Sequence, residues 1–170
     1  MPEKEVMERA EEDKREGKSP STQAGEFVRE EMHHVREGKH GARSAQQAIA
    51  IGLSKARRAG VALPPPRAGK TSEKVRRQAK RDLEKGSGPS SGKAPSRKRS
   101  RATEGALQRE GRSAASHESL SRHARTTARR RGSRSRHEAA AKAVRTKGTA
   151  GLRQAARKAA RTREKSRSGK

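Results

Sequence analysis

The large apolar side chains of this sequence stop early. Val6, Met7, Phe27, Val28, Met32, Val35, Ile49, Ile51, Leu53, Val61 and Leu63 all precede residue 64. The remaining 107 of the 170 residues offer only Val75, Leu83, Leu107, Leu120, Val144 and Leu152. So few apolar side chains cannot bury enough surface to offset the entropy of ordering that length of chain. The expected architecture is therefore mostly α. It is a small N-terminal helical hairpin module followed by a long disordered basic C-terminal tail, which when free would form only transient helices. The boundaries fall at a charged helical arm (1–18), the helical module (19–66), a short basic helix (67–86) and an Arg/Lys/Ala/Ser-rich tail (87–170).

Charge divides the chain at the same place. Residues 1–63 carry 12 Lys/Arg and 11 Asp/Glu, while residues 64–170 carry 33 and 8. Nearly all of the net charge of +26 lies in the second part. Such a density of cations calls for a polyanion, and nucleic acid is the commonest one in a cell. There is no cysteine, hence no disulfide framework, thiolate metal site or cysteine nucleophile. No apolar run nears the roughly 18 residues that span a bilayer. The first residues, Met-Pro-Glu-Lys-Glu-Val, lack a secretory h-region. A cytoplasmic protein with no membrane partner is expected.

Within the module, Ser19-Pro20 reads as a helix start and Gly38 as its stop. Ala24, Phe27, Val28, Met32 and Val35 form one face of that helix, with Glu31 inside the stripe. Glu31 either reaches water from a shallow stripe or pairs with a basic residue of the next element, such as Arg43. Ser44-x-x-Gln47 is a capping box, and Ala45, Ala48, Ile49, Ile51, Gly52, Leu53 and Ala56 form a broad apolar face. Arg57 and Arg58 lie opposite that face. Gly60 and Val61 fit a Schellman stop. Gly52 and the alanines allow another helix to approach closely. Gly38–Arg43 would join the two helices as an αα-hairpin. Its core is marginal at this size, so a homodimer or a protein partner is expected to complete it.

A third helix is expected over Ser72–Lys85, with Val75, Ala79 and Leu83 on one face. Residues 86–96 read as a Gly/Ser/Pro linker. Beyond it lie 24 basic and 5 acidic residues in 74. Lys142-Ala143-Val144-Arg145-Thr146-Lys147 recurs sixteen residues later as Lys158-Ala159-Ala160-Arg161-Thr162-Arg163. Ser135-x-x-Glu138 is a second capping-box pattern.

The residues expected to touch phosphates are Arg97, Lys98, Arg99, Arg101, Arg129, Arg130, Arg131, Lys142, Arg145, Lys158 and Arg161. With one aromatic residue there are no stacking platforms for single strands, and no recognition helix or zinc module is evident. DNA bound without sequence preference, in the manner of a nucleoid-associated protein, is the first expectation, ahead of RNA or the ribosome. The alternative is a protein-interaction module whose working surface is Phe27, Ile49 and Leu53, with the tail a solubilising appendage. No cofactor is expected. His33, His34 and His40, with Glu30 and Glu37, invite a metal reading, but the expectation is no metal. His34 points away from His33, and His40 follows a helix-stop glycine. No Gly-x-Ser-x-Gly, Walker loop or Gly-x-Gly-x-x-Gly is present, so no catalytic residues and no enzyme are expected.

The run Gln47–Gly60, Gln-Ala-Ile-Ala-Ile-Gly-Leu-Ser-Lys-Ala-Arg-Arg-Ala-Gly, preceded by a Glu-rich segment with Gly38-Lys39, resembles a family of small basic bacterial proteins of unknown function. Some similar sequences carry the label plasmid stabilization protein. The resemblance implies a bacterial protein and supplies no activity. The tail is similar only in composition to the basic tails of histone H1-like bacterial proteins.

Overall fold

The computed structural model describes residues 3–88 and 96–168, with side chains to residue 164. Most of the expected linker, residues 89–95, lies outside the described residues. The described residues form helices α1 (Lys4–Arg15), α2 (Pro20–Glu37), α3 (Ala45–Arg58), α4 (Glu73–Ser87), α5 (Arg97–Gln108) and α6 (His117–Ser168), with a 3-10 turn at Ser113–Ala115 before α6. They divide into two compact units, Met1–His123 and Ala124–Lys170.

In the first unit α2 packs against α1 and α3, and α4 packs against α3. The hairpin forms as its caps dictate. Pro20 occupies the first turn of α2, and Gly38 ends it in the left-handed region at φ 80°. The Ser44 hydroxyl accepts the Gln47 N–H at 3.2 Å. The Gln47 side chain reaches back one residue further than a capping box requires, accepting from the Arg43 N–H at 3.0 Å. At the other end of α3 the Val61 N–H bonds the Ala56 carbonyl at 3.1 Å, and Val61 is buried with Ala56. That is a Schellman stop with its hydrophobic contact.

Two apolar clusters form. Val6 and Ala10 of α1 join Phe27, Ala24, Ala56 and Val61, with Met7, Leu53 and Leu63 packed alongside. Met32, Val35, Ala42 and Ala48 form the second, closed by Ala114 and Ala115, with Ile49 and Leu120 against it. Residues beyond the linker therefore return to the module. The Gly41 N–H donates to the Leu107 carbonyl at 2.8 Å, the Ala42 N–H to that of Gly111 at 3.1 Å, and Arg36 Nε to that of Ala115 at 2.9 Å. The chain itself thus adds Ala114, Ala115 and Leu120 to the apolar cover of the hairpin.

Helix α4 docks by polarity more than by its apolar stripe. Ala79 is buried, but Val75 is 49% exposed. Asp82, 2% exposed, takes hydrogen bonds from Ser54 Oγ and Gln78 Nε2 and pairs with Arg58.

The second unit corrects the expectation of a disordered tail. Residues 117–168 are helical, interrupted at Gly132 (φ 73°, ψ 171°) and Gly148 (φ 65°, ψ 173°). None of residues 124–164 is buried, so a core is not what orders them. The helix draws on backbone hydrogen bonds made within each turn and on Ala, Arg, Lys and Gln, all strong helix formers. The Ser116 hydroxyl caps its start, accepting the Ser119 N–H at 3.1 Å. The two interruptions fall on glycines, which alone adopt those angles without strain. Ser135 lies within the helical run instead of capping one, and Glu138 pairs with Arg134 at 3.2 Å.

Candidate functional site

Two features carry chemistry: a buried carboxylate–imidazole cluster in the first unit and the basic surfaces of α5 and α6. The cluster begins with Glu30 and Glu31, adjacent on α2 and therefore about 100° apart around its axis. Glu30 Oε1 accepts the Glu3 N–H at 2.6 Å, tying the start of α1 to α2. Glu31, with no side-chain exposure, lies under α3 and the loop that follows α2. Lys55 Nζ of α3 is 2.7 Å from Glu31 Oε2 and 3.7 Å from Glu30 Oε2, so one ammonium serves two buried carboxylates. The Lys55 contacts have ion-pair distance without hydrogen-bond direction. Neither Glu31 oxygen, nor Glu30 Oε2, accepts a hydrogen bond.

The Glu31 partner is therefore Lys55, and neither the water nor the Arg43 contact considered from the sequence forms. Nothing in the α2 pattern marks Lys55; it sits in the last turn of α3 among residues whose plain reading is complementing the helix dipole.

His40 follows Gly38 in the loop. Its Nε2 stands 3.2 Å from Glu31 Oε1, and its Nδ1–H donates to the Gly41 carbonyl at 3.1 Å. His34, one turn after Glu30 and Glu31, places Nε2 3.0 Å from Glu3 Oε1. The His34 and His40 rings meet edge to face with centroids 6.1 Å apart. The turn at Gly38–Gly41 folds His40 back over α2, which the sequence reading did not foresee. Ligand atoms of Glu31, His34 and His40 all lie within 4.8 Å of one another, as do those of Glu3, Glu30 and His34. His33 and Glu37 face the solvent.

Glu3 is the exposed edge of this cluster. Its carboxyl is lowered from the usual 4.5 to about 2, first by the hydrogen bond with His34, then by that with Lys39 at 3.1 Å. Lys39 is raised in turn, by Glu3 and then Glu37. Elsewhere Arg57, expected on an outer face, is buried, with Nε on the Leu63 carbonyl at 3.1 Å. Burial pulls its pKa down, with Asp82 opposing.

The expected phosphate contacts all lie on helices and all are exposed. Arg97, Lys98, Arg99 and Arg101 occupy the first turns of α5. Arg129, Arg130 and Arg131 precede the Gly132 interruption of α6. Lys142 and Arg145 share one helix face, as do Lys158 and Arg161. The repeat has a structural counterpart. Thr146 Oγ1 donates to the Lys142 carbonyl at 2.9 Å, and Thr162 Oγ1 to that of Lys158 at 3.0 Å. Of the residues expected to form a partner surface, Phe27 is 1% exposed and belongs to the core. Ile49 and Leu53 are half-buried, one against each apolar cluster. The three form no common exposed face.

No helix among the described residues is long and apolar enough to cross a membrane. No curated protein and no solved structure matches the chain. Residues 17–67, which span α2, α3 and Glu30, Glu31, His34, His40 and Lys55, match a family of unknown function (DUF6496).

Proposed function

We propose that this chain is a non-enzymatic nucleic-acid-binding protein that holds DNA through phosphates, without sequence preference, in the manner of a bacterial nucleoid-associated protein. The observation that carries this reading is the exposure of Arg97, Lys98, Arg99, Arg101, Arg129, Arg130, Arg131, Lys142, Arg145, Lys158 and Arg161 on helices. They belong to the part of the chain that holds nearly all of its +26 charge. Cations on a preformed helix meet phosphates without first ordering the chain, so less binding energy is spent on folding. Each contact releases counterions, which makes affinity fall steeply with salt. Several separated basic clusters on one chain allow bridging of DNA segments.

The test is binding of the full chain to random-sequence duplex DNA and to structured RNA, each titrated with salt. Tight binding with a slope of several phosphates, equal across DNA sequences and at least as strong for DNA as for RNA, supports the reading. A clear preference for RNA moves the function to RNA or the ribosome. Weak, salt-independent binding removes nucleic acid and leaves the helical module as a protein-interaction unit.

A further inference from the structure

The tautomer of His40 leaves a chemical problem beside Glu31. Because its Nδ1 donates to the Gly41 carbonyl, a neutral His40 carries a lone pair on Nε2. That nitrogen lies 3.2 Å from Glu31 Oε1, without the direction of a hydrogen bond. Glu31 is fully buried, and neither oxygen accepts a hydrogen bond. Lys55 lies on Oε2, so with His40 neutral Oε1 and Nε2 are two neighbouring acceptors with no donor between them. A buried arrangement of that kind is relieved by a positive charge between its members, supplied by a second proton on the imidazole or by a metal ion.

We propose that Glu31, His34 and His40 bind a divalent first-row transition-metal ion of the zinc class. Two imidazoles and one carboxylate are donors that suit such an ion. Glu31 Oε1 and His40 Nε2, 3.2 Å apart and each roughly 2.1 Å from a zinc ion, would subtend about 100° at the metal, close to tetrahedral. The His40 bond to a backbone carbonyl is the outer contact that orients a metal-ligating imidazole, and Lys55 on Oε2 holds the carboxylate in the same way. His34 and His40 keep 12% and 17% of their side chains exposed, and His34 lines a cleft with Glu3, Arg29 and His33, which gives the ion a path inward. The Glu3, Glu30 and His34 set is the weaker candidate. Glu3 is already held by Lys39, and Glu30 Oε1 by the Glu3 N–H. A net charge of +26 disfavours indiscriminate cation binding, so saturable uptake would report a built site.

The experiment is calorimetric titration of Zn2+ into the full chain after chelator treatment. The expected result is one saturable equivalent and a raised unfolding temperature. Affinity should fall at least roughly tenfold in His40→Gln and Glu31→Gln and be unchanged in His33→Gln. No saturable binding, or His40→Gln binding as the parent does, overturns the proposal. Should the variants fail to fold, the imidazole nitrogen resonances of the unaltered chain decide. Zn2+ must shift those of His34 and His40 and leave that of His33 in place, and any other pattern overturns the site.

Discussion

A β-carbon on Gly52 would lie 2.7 Å from the Cα of Val28, closer than side-chain atoms approach a backbone. The α2–α3 crossing is set by that missing side chain. Gly52→Ala should force the helices apart and lower stability by about 1–3 kcal/mol, as overpacked cores do. Urea denaturation followed by circular dichroism checks it, and an unmoved midpoint would mean the helices are not in this contact.

The two serines at helix starts should behave differently. Ser44 accepts the Gln47 N–H, whereas Ser19 makes no side-chain cap to α2 and instead meets Thr22 Oγ1 at 3.1 Å. Ser44→Ala should cost about 1 kcal/mol, and Ser19→Ala much less. Equal losses in the same denaturation assay would contradict the cap assignment.

Glu3 links α1 to α2 in a pH-dependent way. Its folded-state carboxyl titrates at about 2, against 4.5 for an unrestrained one. Because the value is depressed, the contribution is fully present above 4.5 and is lost as pH falls toward 2. Carboxyl NMR titration should place the Glu3 midpoint well below those of other glutamates, and Lys39→Met should raise it. A midpoint at the usual value would dissolve the Glu3–His34–Lys39 contact.

Ala115 is fully buried and its carbonyl accepts from Arg36. Ala115→Asp would place a charge in the second apolar cluster, a penalty on the order of several kcal/mol. Amide hydrogen exchange should then lose protection at residues 112–120 and around Gly41. Retained protection would mean this segment does not close the core.

Arg129, Arg130 and Arg131 are exposed on α6. If each meets one phosphate, replacing all three with Ala should reduce the slope of log affinity against log salt by ~2.7, at ~0.9 per contact. The loss should be the same for every duplex sequence tried. An unchanged slope would remove this cluster from the interface.

The helices of the hairpin were legible because their signals are local. Ser19-Pro20 and Gly38 bound α2, and Ser44 and Gly60-Val61 bound α3, through contacts made within a few residues. The helicity of residues 117–168 was also written locally, in Ala, Arg and Lys. The sequence reading missed it by asking for a core, when intrahelical hydrogen bonds need none. The candidate metal residues were half legible. His34 and His40 stood out, but without the fold back at Gly38–Gly41 they gave no third ligand, and Glu31 was read as a side chain facing water or Arg43.

By itself, then, the sequence determined where α2 and α3 begin and end, that Gly52 would allow a neighbouring helix to approach, and where the positive charge would accumulate. Those are consequences of backbone hydrogen bonding, capping and composition, all of short range. The tertiary structure decided that Glu31 meets Lys55 and His40, that Arg57 is buried, and that Ala114 and Ala115 close a core begun at Met32. Each of these depends on which surfaces meet after two or more turns of chain. Packing of that kind is selected by the fit of whole elements, and no spacing within a single element encodes it.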